Sequence, residues 1–116
     1  MVRARFFHAR QAGGAQALRG FAVSGHAGWA GAGRDIVCAG VSSAVQMAAN
    51  TVTEVLREPA RVDAEGGVVS LYLQGGVEAA QAAQAVLEGL RLQLLLLAER
   101  YPQSVAVEDI RENENA

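Results

Sequence analysis

A glycine-dense segment in the first third of the chain restricts the fold more than any other feature. Four glycines fall within the nine residues from Gly25 to Gly33. Glycine loses the most conformational freedom on ordering and offers no side chain to pack, so this density disfavours a helix or a well-packed strand. The segment predicts a loop, which separates two different sequence patterns.

The residues before this loop predict a β-hairpin. Side chains in residues 2–7 alternate between apolar and polar, with Phe7 as the exception, and a period of two is typical of a half-buried strand. Gly13 and Gly14 then indicate a turn. Residues 19–24 alternate again, so they can return as the second strand.

The residues after the loop predict a helix. Asp35 stands where an N-cap belongs, because its carboxylate can accept hydrogen bonds from the first backbone N–H groups. Apolar residues follow at steps of three and four, which marks one helical face: Val37, Val41, Val45, Ala48, Val52 and Val55. We expect this helix to end before Pro59.

The second half of the chain repeats the pattern of hairpin and helix. Residues 61–63 and 68–74 flank the turn cluster Glu65-Gly66-Gly67, which indicates a second hairpin. Residues 77–101 predict a second helix that Pro102 stops. Its apolar stripe consists of Leu87, Leu90, Leu94, Leu97 and Tyr101.

The last strand prediction covers residues 104–110 and completes the order ββαββαβ. This order predicts the α+β class, with an antiparallel-rich sheet of about five strands and two long helices. We assign residues 1–110 to a single domain and residues 111–116 to a polar C-terminal tail.

Apolar residues of the second predicted helix extend beyond its stripe. Leu92, Leu95 and Leu96 fall outside it. A helix that is apolar on more than one side must be covered on more than one side. The pattern therefore predicts a homodimer or a central position of this helix in the fold.

Composition excludes several classes of protein. All 10 basic residues are Arg, so a Walker-type phosphate loop and Schiff-base chemistry, which need an amine, are excluded. A net charge of -2 gives no reason to expect nucleic acid. The apolar stretch 90–98 contains Arg91 and Gln93 and is too short to span a membrane.

The cysteine and histidine content further limits the chemistry. One Cys cannot form an internal disulfide, which favours a reducing, cytoplasmic compartment. With only two His besides, a metal site is not expected. The glycine order Gly-x-x-Gly-x-Gly differs from the dinucleotide fingerprint. We therefore expect no cofactor.

A histidine and a cysteine on the two sides of the loop are the candidate reactive groups. If Asp35 caps the helix, Cys38 is the third helical residue, where unpaired N–H groups and the helix dipole stabilise a thiolate. A Cys–His pair with His26 is sufficient for nucleophilic attack on an amide. Ser42 lies one turn further on the same face and can support the thiol or the substrate.

These residues also have simpler interpretations. A lone cysteine usually packs as a small hydrophobic residue, and a histidine in a glycine loop is more often a surface residue than a base. Asp35 can cap the helix or orient His26, and the sequence does not separate these roles. Trp29 can cover the loop or contact a substrate.

The block around the histidine and the cysteine resembles the ribosomal-processing cysteine protease (Prp) family. The resemblance is carried by Val23-Ser24-Gly25-His26-Ala27-Gly28 and, after the loop, by Asp35-Ile36-Val37-Cys38-Ala39-Gly40-Val41-Ser42. Outside this block the likeness is one of general layout. The resemblance implies Cys38 as nucleophile and His26 as general base, with Asp35 and Ser42 as supporting residues.

The resemblance also implies a substrate and an assembly. It implies a dimeric endopeptidase that removes a short N-terminal extension from a bacterial large-subunit ribosomal protein, number twenty-seven, during ribosome assembly. It further implies a loop that orders over the bound peptide, with the residues Gly25, Gly28, Trp29, Gly31 and Gly33. The alternative is a ribosome-associated binding or assembly module without catalytic turnover.

Overall fold

The computed structural model describes residues 1–10, 16–25, 36–77 and 80–112. The elements occur in the predicted order ββαββαβ. They are β1 (Val2–Arg10), β2 (Gln16–Ser24), α1 (Ile36–Asn50) with a π-helical turn (Thr51–Val55), β3 (Ala60–Glu65), β4 (Val68–Leu73), α2 (Gln81–Arg100) and β5 (Val105–Arg111). The predicted α+β class is confirmed.

The five strands form one mixed sheet in the order β3-β4-β2-β1-β5. The pairings of β1 with β2, β2 with β4 and β3 with β4 are antiparallel. Strand β5 lies parallel to β1, which a chain returning through α2 makes possible. The predicted antiparallel-rich sheet of five strands is therefore confirmed, with one parallel pair at an edge.

Both helices cover the same face of this sheet. Alternate residues of β1 and β2 point towards the helices, and Val2, Phe6 and Phe21 are fully buried there. Leu87 and Leu94 of α2 are buried against them. Burial of such side chains contributes roughly 1.5 to 3 kcal/mol each, and this single apolar layer holds the sheet and the helices together.

The exception in the first strand pattern, Phe7, lies on the opposite face of the sheet. Phe7 and Tyr72 flank Gly20 in the strand register, and their ring centroids are 5.3 Å apart. A Cβ atom on Gly20 would overlap the backbone carbonyl of Leu71. Glycine at this position therefore allows the strands to approach closely while two aromatic rings cover the gap.

A β-bulge brings helix α2 onto strand β2. His8 pairs with Leu18 but Phe7 pairs with Gly20, so β2 contains one extra residue. Near this bulge, Leu18 N donates to Gln84 Oε1 at 2.8 Å, and Gln84 Nε2 donates to Leu18 O at 2.6 Å. The amide side chain pairs both backbone groups as a neighbouring strand would, which leaves neither group without a partner.

An ionic cluster joins α2 to β5 and β1. Arg91 donates to both carboxylate oxygens of Asp109, at 2.8 and 2.6 Å, and His8 Nε2 lies 2.7 Å from Asp109 Oδ1. The hydrogen bonds from Arg91, and then from His8, hold the pKa of Asp109 well below its usual range. Bidentate pairing of this kind fixes orientation as well as distance.

Helix α1 is apolar on its exposed side as well as on its buried side. Val41, Val45 and Val52 are buried, whereas Met47 is 59% exposed. By length and composition alone, residues 36–55 form a helix that could span a membrane. In the fold this helix packs on the sheet through its valine face.

The end of α1 follows from its threonines and from the proline beyond it. Thr51 Oγ1 donates to Met47 O at 2.7 Å, a side-chain bond that competes with the helical pattern, and the last turn is π-helical. Arg57 then adopts a left-handed φ of 51°. The predicted stop before Pro59 is confirmed.

Several predicted boundaries differ from the structure. Helix α2 begins at Gln81 rather than at residue 77 and ends at Arg100, so Tyr101 lies beyond it and is 41% exposed. The predicted tail begins too early, because β5 includes Arg111 and Glu112 N donates to His8 O at 2.9 Å. Residues 113–116 and the predicted turn at Gly13 and Gly14 lie outside the described residues.

Two glycine substitutions should change stability in opposite directions. In Gly20→Ala the new methyl group meets the Leu71 carbonyl, so we expect a loss of about 1 to 3 kcal/mol in the free energy of unfolding. In Gly89→Ala, on α2, the methyl group meets nothing within 4 Å, so we expect a gain of about 0.5 to 1 kcal/mol. Urea unfolding measures both, and a neutral Gly20→Ala would contradict the packing described here.

Candidate active site

The candidate nucleophile lies in the first turn of α1. The helix begins at Ile36, so Cys38 is its third residue, as predicted. Its side chain is half-buried and packs against the hydrophobic core. The first N–H groups of a helix have no intrahelical acceptor and carry a partial positive charge. This position favours the thiolate over the thiol.

Strand β2 ends beside the beginning of β1. Ser24 pairs with Arg3, and Gly25 follows with a φ of 98°. A Cβ atom on Gly25 would overlap the carbonyl of Met1. Glycine is therefore required here by the backbone where the chain leaves the sheet, in addition to any role in the predicted substrate loop.

The remaining predicted residues of the loop lie outside the described residues. These are the predicted base His26, the predicted N-cap Asp35, and Gly28, Trp29, Gly31 and Gly33. The structure describes the two ends of their segment, at Gly25 and Ile36. The pairing of His26 with Cys38 and the role of Asp35 stay predictions.

Ser42 borders a cleft between α1 and the hairpin formed by β3 and β4. The side chain is half-buried and lies one helical turn beyond Cys38, so both residues share a face of α1. The cleft, which we call the hairpin cleft, has a volume of about 300 Å³. It is lined by Ser42, Val45, Gln46, Ala49, Asn50, Val62, Ala64 and Val69.

A larger groove runs between the two helices. This helix groove has a volume of about 600 Å³ and includes Gly40, Ala44 and Met47 of α1 and Ala85 and Gly89 of α2. Gly40 follows Cys38 by two residues, which is about 200° around a helix. The larger groove therefore lies on the face of α1 opposite to the candidate nucleophile.

The described residues offer few other reactive groups. Within residues 1–10, 16–25, 36–77 and 80–112, no three His, Cys, Asp or Glu side chains come close enough to hold a metal ion. His8 is engaged by Asp109, near the end of β1 that is opposite to Gly25. No local sequence pattern reveals this cluster, because its members are up to 101 residues apart.

The fold and the cysteine at the head of α1 are those of a small cysteine protease. The sequence model of the family described as cysteine protease Prp matches residues 1–106. The chain therefore belongs to the Prp family of cysteine proteases, and the resemblance drawn from the His26 and Cys38 block is confirmed. No curated protein sequence matches the chain.

Solved structures share the fold across nearly the whole chain. A protein of Streptococcus mutans, SMU.848, superimposes with a TM-score of 0.76 at 23% identity, covering 97% of this chain and 96% of its own. The essential ribosomal processing protease Prp of Staphylococcus aureus, in complex with a substrate peptide, superimposes with a TM-score of 0.72 at 20% identity, covering 91% and 98%.

The same Staphylococcus aureus protease has also been solved with a covalently linked product peptide. That structure superimposes with a TM-score of 0.68 at 20% identity, covering 91% of this chain and 98% of its own. At such identities the structures show a common fold. The assignment to the protease family rests on the family match.

The reactivity of Cys38 should distinguish an activated thiol from a packed one. Because Cys38 lies at a helix N-terminus and is not fully buried, we expect iodoacetamide to alkylate the folded protein with a pH midpoint below about 7, against about 8.5 for an ordinary thiol. Mass spectrometry measures the rate, and Cys38 is the one cysteine in the chain. Labelling that requires unfolding would contradict an accessible nucleophile.

Proposed function

We propose that this protease removes a short N-terminal extension from the bacterial large-subunit ribosomal protein number twenty-seven during ribosome assembly. The observation that carries the proposal is the family match over residues 1–106, which includes the whole block from His26 to Cys38. The Staphylococcus aureus protease with the same fold is described as a ribosomal processing protease. A ribosomal substrate and a single cysteine both suit the cytoplasm.

The proposed reaction proceeds through a thioester. His26 takes the proton of the Cys38 thiol, and the sulfur attacks the carbonyl carbon of the scissile bond. When the C–N bond breaks, His26 gives that proton to the leaving amine, which is the new N-terminus of the mature ribosomal protein. Water then hydrolyses the thioester, releasing the extension as a free acid and regenerating the thiol.

The other predicted residues support this reaction in the proposal. Asp35 either caps α1, which holds Cys38 at the head of the helix, or orients the His26 ring. Ser42 supports the thiol or the substrate from the next turn of α1. The glycines of residues 25–33 allow the loop to close over a bound peptide.

Membership of a protease family argues against the alternative, a ribosome-associated module without turnover. Such a module needs no activated nucleophile, so it gives no reason for a cysteine in the first turn of α1. The position of Cys38 therefore favours turnover. The two functions differ in their products, because only the protease shortens its partner.

We further propose that the active protein is a homodimer joined through its helical face. On α2, Leu92 is 58% and Leu96 52% exposed, and both continue the face on which Ala85 and Gly89 border the helix groove. Apolar residues on the rim of a groove lined largely by small residues suit a second helical surface. A second copy of the chain supplies such a surface.

Substitution of the candidate catalytic pair should abolish processing. We expect Cys38→Ser and His26→Ala each to lower cleavage of the extended ribosomal protein by roughly a thousandfold or more, because both residues act in one step. Mass spectrometry of the shortened product measures the rate. His8→Ala is the matched control, since His8 is bound to Asp109 in the sheet, and it should keep the wild-type rate. Equal cleavage by Cys38→Ser would refute the mechanism.

Placing a charge on the helical face should dissociate the dimer. At micromolar concentration we expect light scattering to give twice the chain mass of 12.1 kDa for the wild type. We expect one chain mass for Leu96→Glu, because burying a carboxylate in an apolar interface is costly. Gln103→Glu adds the same charge at an exposed position outside this face and should stay dimeric. A monomeric wild type would overturn the proposal.

A further inference from the structure

The hairpin cleft and the candidate nucleophile lie along the same helix, α1. We infer that this cleft, between α1 and the hairpin of β3 and β4, is a specificity subsite that holds one apolar side chain of the substrate, two to four residues from the scissile bond. The inference rests on the proposed protease activity at Cys38. It adds a determinant of which peptides are cleaved.

The cleft shares a helical face with Cys38. Ser42, Val45 and Ala49 line the cleft and follow Cys38 by four, seven and eleven residues, a spacing that keeps them on one side of α1. At about 1.5 Å per residue, Ser42 lies about 6 Å and Val45 about 10 Å along the axis from Cys38. An extended peptide covers those distances in about two to three residues.

The lining of the cleft selects the chemistry of the bound side chain. Val45 is 2% exposed and forms the floor, while Ala49, Val62 and Val69 form apolar walls. The polar groups of the lining are the hydroxyl of Ser42 and two amides, and none of the described lining residues is charged. An apolar side chain is favoured here, because a charged one would lose hydration without gaining an ion pair.

Strand β3 explains why the occupant is an extended peptide. It is the outermost strand on its side of the sheet within the described residues, and most of it is exposed. An extended segment can add to such an edge through main-chain hydrogen bonds, with alternate side chains pointing to one face. That face is the α1 side, where Val62 and Ala64 line the cleft.

The helix groove is larger but does not suit this role. Its residues Gly40 and Ala44 face away from Cys38 on α1, so a peptide lying in it would have to cross the helix to reach the thiol. The hairpin cleft needs no such path. The substrate subsite and the proposed dimer surface therefore occupy opposite sides of the same helix.

Filling the cleft should change which peptides are cleaved. The probes are peptides spanning the cleavage site of the extended ribosomal protein, in which each residue two to four positions from the bond is in turn Leu or Ala. At one of these positions, we expect Ala49→Leu to lower kcat/KM for the peptide with Leu tenfold or more. The kcat/KM for the peptide with Ala at that position should stay nearly unchanged. Ala82→Leu, at an exposed position of α2 outside both grooves, is the matched control and should keep the wild-type preference.

A binding measurement tests the same site without turnover. Adding the uncleaved Leu peptide to the Cys38→Ser protein should slow amide hydrogen exchange in residues 60–65, because an added strand protects the edge of β3. Ala49→Leu combined with Cys38→Ser should lose this protection, whereas the protection should persist with Ala82→Leu.

The outcomes distinguish a failure of the subsite proposal from a failure of the proposed protease function. If the wild type cleaves the peptides but Ala49→Leu leaves the preference unchanged, or lowers every peptide equally, the subsite is refuted and the protease proposal stands. Cleavage without protection of β3 also refutes the subsite. If the wild type cleaves neither the peptides nor the extended ribosomal protein, the proposed function fails and the subsite fails with it.

Discussion

Burial of one face of the sheet is the constraint on which the rest of the structure depends. Phe6 and Phe21 lie side by side in the two central strands, both fully buried, with their ring centroids 6.3 Å apart. Removing these side chains from water requires both helices on the same face. Helix α1 therefore lies on that face from its start at Ile36, although β2, which precedes it in the chain, ends at Ser24. Cys38 lies in the first turn of this helix.

Much of this fold follows from local patterns, and the remainder depends on contacts that no local pattern contains. The order of elements and the start of α1 were predictable, because apolar periodicity and capping residues lie within single elements. The parallel pairing of β5 with β1 was not, nor was the hydrogen bonding of Gln84 to Leu18. Both join residues far apart in the sequence. The strand end was placed too early because Arg111 is polar, although its backbone pairs with β1.

In the candidate site, too, features within one helix were predictable from the sequence, whereas features that depend on tertiary packing were not. The helix position of Cys38 was predictable from Asp35, since a capping residue and a periodic run define a helix start. The position of Ser42 then followed from helical geometry. The hairpin cleft was not predictable, because Ala49 and Val62 come from two elements whose packing depends on the whole core. The pairing of Cys38 with His26 rests on spacing and family resemblance and stays a prediction.

The two ends of the chain offer different attachment points for a fused tag or reporter. The backbone of Met1 packs against Gly25, at the point where the chain leaves the sheet towards the predicted substrate loop. Strand β5 runs parallel to β1, so its last residues lie at the end of the sheet opposite to Met1. There Glu112 binds the backbone of His8 and the side chain of Arg19. Extra residues before Met1 would begin beside Gly25. A label attached after residue 112 would begin beside His8, at the other end of β1.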